Sequence, residues 1–263
     1  MTKLALTRAS RVAHVALLLV ILRLAAMILA LLFHLPMYFV AAPFTARNPV
    51  PRHFLGLIAM IAGVQVRSRG DAPAQDTFFL ANHVSWIDIL AIAGTTGSAF
   101  VAHDGLAQIG PLRWLCELND TVFVARHDRK TVGHQIEQVR TALVDTGALT
   151  IFPEGTTSDG TALLPFKSSL LSALENEADH IAVQPLWLDY GPEVAEIAWV
   201  DAEAGLTNAL RLLSRARRIR LTIHHLPPLS AEDRVDRKRM AAAARRAIER
   251  AMQAGQPAPE LSE

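Results

Sequence analysis

The chain has 263 residues, of which 51% are hydrophobic and 19% charged, enough for one or two domains and too apolar for a disordered, collagen-like or coiled-coil protein. One cysteine, Cys116, excludes an internal disulfide framework and a cysteine-rich zinc site. The net charge of +1 conceals an asymmetry: residues 1–70 carry eight basic residues and no Asp or Glu, against 18 basic and 25 acidic residues in the remainder. A basic, apolar front on an acidic body points to an anionic membrane surface as a partner.

Arg11 and Arg23 enclose eleven uncharged residues, and Arg23 and Arg47 enclose twenty-three. The second stretch alone is long enough to span a bilayer, which takes about 20 apolar residues. Pro36 and Pro43 would interrupt its last part, and the two stretches together could instead form a helical pair in one leaflet, with Arg23 snorkelling to the headgroups. A secretory signal and a buried core helix are two further readings. The length of the run, and Pro43 after Ala41-Ala42, argue against a signal. Lys3, Arg8 and Arg11 precede the run and place the N-terminus in the cytoplasm. A full span then carries the body outside, and a one-leaflet insertion keeps it inside. Residues 1–50 are therefore set apart as hydrophobic anchoring helices, 51–254 as the body and 255–263 as a flexible tail.

After Gly70 the pattern turns to short apolar runs between helical segments. Residues 76–82, 98–102, 121–125, 148–152 and 181–188 read as strands, rich in Val, Ile, Phe and Thr and bounded by turn residues. Residues 197–200 and 219–226 are candidates for two more. Helices are expected over 104–118, 131–145 and 166–178. A closing helix starts at a capping box formed by Ser230 and Asp233, and Gly255 ends it. The alternation predicts a single α/β domain with a central mixed or mainly parallel sheet flanked by helices, preceded by the apolar helical segment. No Gly-rich phosphate loop of the GxxxxGK[ST] type is present.

Three groups of residues at strand ends carry candidate chemistry. The first is Asn82-His83-Val84-Ser85-Trp86-Ile87-Asp88. Well inside one helix, residues five apart lie about 140° from each other. With Ser85 as N-cap, however, His83 lies in the preceding turn and can curl back to Asp88. The carboxylate would then fix the imidazole tautomer and free the other ring nitrogen as a base. Spacing alone favours the plainer alternative, a capping box between Ser85 and Asp88. The second group is Phe152-Pro153-Glu154-Gly155-Thr156-Thr157-Ser158. Its glycine, backbone N–H groups and three hydroxyls suit an anion or polyol pocket, or simply a strand-to-loop turn. The third is Arg126 after the strand 121–125, suited to bidentate phosphate binding or to plain solvation, with Lys167 as a second cation.

Together and in this order, the three groups resemble the glycerolipid acyltransferases, specifically the bacterial-type 1-acyl-sn-glycerol-3-phosphate acyltransferases. The NHxxxxD block is matched by Asn82 to Asp88, the GxxFxxR block by Phe123 and Arg126, and FPEGT by Phe152 to Thr156. Val183-Gln184-Pro185-Leu186 resembles the fourth block, and Phe166-Lys167-Ser168-Ser169 the FKxG phrase. Departures fall at Asp120 and Ser169 for glycine, His103 for lysine and Gln184 for proline.

The resemblance implies a membrane-associated enzyme of phospholipid biosynthesis that moves an acyl chain from an acyl-carrier-protein or acyl-CoA thioester to the sn-2 hydroxyl of lysophosphatidic acid, giving phosphatidic acid. His83 would be the general base and Asp88 its orienting carboxylate. Asn82, Arg126, Glu154, Gly155, Thr156 and Lys167 would bind substrate, with Arg126 and Lys167 on the phosphate. No metal or cofactor is implied beyond the thioester co-substrate. The expected partners are a lysophospholipid, the thioester carrier and an anionic membrane, not nucleic acid. The implied place is the inner membrane with the catalytic body on its cytoplasmic face, since the thioester is cytosolic. Another lysolipid acceptor, such as lyso-ornithine lipid, is the nearest alternative. A membrane hydrolase using Ser85 or Ser158 has no GxSxG elbow to support it, and the intact His83/Asp88 pair argues against a non-catalytic lipid-binding protein.

Overall fold

A computed structural model describes residues 3–45, 47–71, 76–103, 110–124, 132–169, 171, 181–200 and 203–255. Helix α1 (Lys3–Ala41) is one continuous helix of 39 residues. It runs through both Arg23 and Pro36, so the expected helical pair within this stretch is not formed. A proline inside a helix forfeits one backbone bond, and beyond it Asn48 Nδ2 donates to Tyr38 O at 2.9 Å. Pro43 falls in a 3₁₀ turn, Ala42–Phe44, after the helix has ended. Within Ala13–Phe44 the most apolar window has a mean hydropathy of 2.9 and only 11% of it is buried in the fold, so this is not a core helix. It is long and apolar enough to cross a membrane.

Helix α2 (Val50–Ile61) packs against α1, with the His34 and Phe54 rings 5.6 Å apart, and against α3 (Ile87–Thr96). The α2–α3 crossing is close because glycines meet there: a Cβ on Gly94 would lie 2.6 Å from Gly56 Cα. Helix α7 (Gly205–Leu213) receives Arg23, whose guanidinium donates to Leu213 O at 2.8 Å and Arg215 O at 3.0 Å. Arg23 is thus turned inward to the carbonyl end of a helix, where a cation is favoured, and does not snorkel. Val20, one turn earlier, is 8% exposed and joins the core.

The sheet has seven strands, β1 (Val64–Arg69), β2 (Thr77–Ala81), β3 (Ala99–His103), β4 (Val122–Val124), β5 (Ala148–Ile151), β6 (Ala182–Asp189) and β7 (Ile219–His225), in the order β1-β7-β6-β2-β5-β3-β4. From β6 to β4 all neighbours are parallel; β7 is antiparallel to β6, and β1 is parallel to β7. Every residue of β2 is buried, as a central strand covered on both faces requires. Phe79 and Ala81 join the core beneath α2, α3 and α7. Phe78 and Leu80 join the opposite core beneath α5 (Val132–Thr146) and α8 (Arg237–Gly255).

The expected mixed, mainly parallel sheet is present, with three local corrections. Residues 197–200 are not a strand: Ile197 ends the short helix α6 (Val194–Ile197), and the next residues run as an extended segment whose Trp199 N–H donates to Val84 O at 2.9 Å. Ser230 and Asp233 do bond reciprocally, but they close a 3₁₀ turn; α8 begins at Arg237, where Asp236 Oδ1 accepts the N–H groups of Lys238 and Arg239 at 2.8 Å each. Within the expected helix 166–178, Phe166 and Lys167 are not helical; residues 170 and 172–178 lie outside the described residues. The expected helix 104–118 is described from 110 as α4 (Gly110–Glu117).

Candidate active site

Parallel pairing brings the carboxyl ends of β6, β2 and β5 side by side. The segments that leave them are Asp189-Tyr190, Asn82 to Asp88 and Phe152 to Ser158. All the chemistry the sequence singles out at β2 and β5 therefore converges at one sheet edge, where α/β folds place ligands.

His83 lies in the turn before α3 and Asp88 is the second residue of the helix. His83 Nδ1 and Asp88 Oδ2 are 2.9 Å apart, with Asp88 fully buried and the His83 side chain 16% exposed. The same oxygen accepts the N–H groups of Val84 at 2.7 Å and Ser85 at 2.9 Å, and Oδ1 accepts a hydrogen bond from the Tyr190 hydroxyl. The carboxylate therefore serves the helix N-terminus and the imidazole at once, so the two readings of this block are halves of one arrangement. Its caps are backbone groups: Ser85 Oγ is buried with no hydrogen-bond partner among the described residues, and Asp88 N donates to Ser85 O at 3.0 Å. An ionised Asp88 holds the proton on Nδ1 and leaves Nε2 as the basic nitrogen.

The segment after β5 fixes the imidazole from the other side. Phe152 stacks on the His83 ring, centroids 3.9 Å apart and planes at 14°. Glu154 is buried, and its carboxylate accepts the His83 N–H at 3.0 Å and the Leu164 N–H at 2.9 Å. Burial pushes the Glu154 carboxyl above its ordinary range, opposed by these two backbone donors. Ser158 donates to His83 O from both its N–H, at 2.7 Å, and its hydroxyl, at 3.1 Å. Gly155 has φ +69°, a left-handed conformation that other residues adopt at a cost, and it sharpens the turn that points Glu154 inward.

The remaining candidates are placed as follows. Both ends of the Asn82 amide are committed to Leu188 of β6: Oδ1 accepts Leu188 N–H at 2.7 Å, and Nδ2 donates to Leu188 O at 3.3 Å. Asn82, expected at the substrate, thus bridges the end of β2 to β6. Thr156 is exposed and Gly155 half-buried. Lys167 has its backbone N–H on Pro153 O at 2.7 Å and an exposed side chain, which brings it beside the same loop. Phe123 is half-buried in β4, and Arg126 lies outside the described residues. Asp120 has φ +51°. Where the resemblance expects glycine, the backbone is left-handed, a state Asp tolerates better than most residues. That departure is thus a matter of backbone conformation. Among the described residues no group of three or more His, Cys, Asp or Glu side chains could hold a metal ion.

Two participants escape a reading of motifs. Tyr190 stands on the same face of β6 as Leu186 and Leu188, a period-2 signal that runs straight to the site. Asn208, fully buried on α7, accepts the Trp86 indole N–H at 3.1 Å and so fastens the middle of the turn from Asn82 to Asp88. No local spacing announces it, because it is 122 residues away in sequence.

Residues 63–189 match the family model described as acyltransferase. Among curated proteins, the lyso-ornithine lipid O-acyltransferase of Rhizobium meliloti is 35% identical over 55% of this chain and 51% of its own length. That of Rhodobacter capsulatus is 30% identical over 73% of this chain and 71% of its own length. The 1-acyl-sn-glycerol-3-phosphate acyltransferase of Neisseria gonorrhoeae is 28% identical over 69% and 71%. The chain thus spans about half the length of the first of these relatives. Its fold matches that of the 1-acyl-sn-glycerophosphate acyltransferase of Thermotoga maritima, with a TM-score of 0.68, 17% identity, and 95% of this chain and 99% of that one covered; at this identity the likeness speaks for the fold alone. With the His83–Asp88 turn and the FPEGT loop at one sheet edge, and with relatives alike along most of its length, the chain belongs to the glycerolipid acyltransferase family.

Proposed function

We propose that the protein is a membrane-associated O-acyltransferase that moves a fatty acyl chain from an acyl-carrier-protein or coenzyme A thioester to the free hydroxyl of a lysolipid, with lyso-ornithine lipid as the acceptor. The observation that carries the reaction type is the His83 imidazole, held on Nδ1 by a fully buried carboxylate and on its face by Phe152. His83 Nε2 takes the proton of the acceptor hydroxyl as the oxygen attacks the thioester carbonyl. Asp88 stabilises the imidazolium that forms, and the proton then passes to the departing thiolate. Neither serine competes as a nucleophile: Ser85 Oγ is enclosed, and Ser158 Oγ donates to the His83 carbonyl. Gly155 and Thr156 border the acceptor, and Glu154 acts through the backbone of the His83 turn.

The relatives named for lyso-ornithine lipid favour that acceptor at 30% and 35% identity over the 28% of the glycerophosphate relative. Lysophosphatidic acid is the second reading, favoured by the exposed Lys167 beside the FPEGT loop and by Arg126, cations that suit a phosphate. Helix α1 supplies the attachment by lying in one leaflet rather than spanning, because a cytosolic thioester requires the body on the cytoplasmic face of the inner membrane. The test is acyl transfer by the purified protein to each lysolipid with each donor. Fastest product formation on lyso-ornithine lipid is expected. Faster turnover of lysophosphatidic acid selects the second reading, and thioester hydrolysis without transfer to either acceptor refutes both. Protease applied to sealed spheroplasts should leave the body intact until lysis; digestion from outside refutes the cytoplasmic placement.

A further inference from the structure

The His83–Asp88 pair leaves one oxygen of the carboxylate unaccounted for in the reaction. Oδ2 is saturated by His83 Nδ1 and by the N–H groups of Val84 and Ser85. Oδ1 faces β6, and there the Tyr190 hydroxyl donates to it. Tyr190 is 4% exposed, and Asp88 is fully buried. The phenol reaches this point because alternation along β6 turns Leu186, Leu188 and Tyr190 into the core beneath α3. The chain then leaves the strand at once: Asp189 Oδ1 accepts the Gly191 N–H at 2.8 Å, and Gly191 has φ +60°.

We infer that Tyr190 is a positioning residue for acyl transfer, which acts through Asp88 by holding the carboxylate plane against His83 Nδ1 and by setting how much negative charge the imidazole feels. This rests on the reading of His83 as general base. A buried carboxylate lacking a donor on one oxygen carries an unsatisfied charge and is free to rotate about its side-chain torsions. Tyr190 removes both faults. Burial first, then the charge of Asp88, push the phenol well above its ordinary range, so it stays protonated and can only donate along this contact. Among the described residues, the titratable groups facing Asp88 are His83 on its own turn, Tyr190 from the end of β6 and Glu154 from the loop after β5. Glu154 spends its oxygens on the His83 and Leu164 N–H groups and offers Asp88 no donor. Tyr190 is thus the one side chain among them, apart from the base itself, that can lower the charge density of Asp88.

Without the phenol, the full carboxylate charge falls on the imidazole, the imidazolium is stabilised further, and the base is fully deprotonated only at higher pH. Tyr190→Phe should lower kcat about tenfold with KM for both substrates nearly unchanged, and move the acid limb of kcat/KM up by about half a pH unit. A fluorinated tyrosine at position 190 keeps the ring and donates more strongly, so it should move the limb the opposite way. It also decides the matter alone should Tyr190→Phe not fold. Opposed shifts support the proposal. A limb that stays at the wild-type pH in the folded variants overturns it, whatever happens to thermal stability. The base reading fails separately: it is lost if folded His83→Ala turns over normally, or if the wild-type protein has no acid limb.

Discussion

Replacing Asp88 by Asn isolates the charge of the dyad from its shape. Asparagine keeps one oxygen that can face the three donors now on Oδ2: His83 Nδ1 at 2.9 Å, Val84 N at 2.7 Å and Ser85 N at 2.9 Å. It can therefore still cap α3, and the cap costs about 1 kcal/mol or less when one good cap replaces another. What is lost is the charge. A unit pair about 4 Å apart at an effective dielectric near 20 is worth roughly 4 kcal/mol, an upper figure of about a thousandfold in rate. Charge-assisted hydrogen bonds measured one at a time contribute about 1.5–3 kcal/mol, roughly ten- to two-hundredfold. Because Asp88 is fully buried and His83 only 16% exposed, solvent screening removes little of this. The amide NH₂ must also meet the Tyr190 hydroxyl, which then has to accept instead of donate. Asp88→Asn should lower kcat at least tenfold and as much as a thousandfold, with KM for acceptor and donor within about threefold and far-ultraviolet circular dichroism unchanged. A folded Asp88→Asn protein that keeps more than a third of wild-type kcat would refute the role of Asp88 as the charged partner of the base.

Glu154→Gln places an amide NH₂ against either the His83 or the Leu164 N–H, two donors face to face; denaturant unfolding should show a loss of about 1–3 kcal/mol, and an unchanged midpoint would contradict the bracing role of the carboxylate. At the α2–α3 crossing the two glycines should answer differently. Gly94→Ala drives a methyl to 2.6 Å from Gly56 Cα and should destabilise by about 1–3 kcal/mol, whereas the Gly56 methyl meets Gly94 Cα at 3.4 Å and should cost well under half as much; equal melting temperatures would show that the crossing is loose. Arg23→Met keeps α1 apolar but leaves Leu213 O and Arg215 O without their guanidinium, so unfolding in detergent should come about 1.5–3 kcal/mol sooner while membrane partition persists; loss of partition instead would mean that Arg23 serves the lipid.

The parts of this molecule written in local pattern were legible beforehand. The strands around Phe78–Leu80, Leu149–Ile151 and Val183–Leu188 are dense in large apolar residues, and they lie where the composition places them. Strand β1, VQVRSR, escapes a reading by composition because it is an edge strand with only Val64 buried, and four of its six residues are polar or charged. Ser230-Asp233 reads as the start of α8 because a capping box looks the same whether a 3₁₀ turn or an α-helix follows. The dyad could be suspected from spacing but not separated from a helix cap, since one carboxylate oxygen does both. Tyr190 and Asn208 reach the site from 102 and 122 residues away, a relation that only the sheet order and the docking of α7 create.

The path of Arg23 alters what an N-terminal deletion means. Hydropathy suggests a tether that could be cut near residue 46 to release a soluble enzyme. Yet Val20 fills part of the core, and the guanidinium of Arg23 covers the last carbonyl of α7 and that of Arg215 just beyond, at the helix whose Asn208 fastens Trp86 between His83 and Asp88. A trimmed protein would lose its lipid attachment and open a seam in the body by the same cut. Reduced turnover in such a protein therefore cannot be credited to the missing membrane alone. Arg23→Met, which spares the apolar surface, and shortening from the N-terminus only as far as residue 19, which spares both Val20 and Arg23, are the two changes that pull these contributions apart.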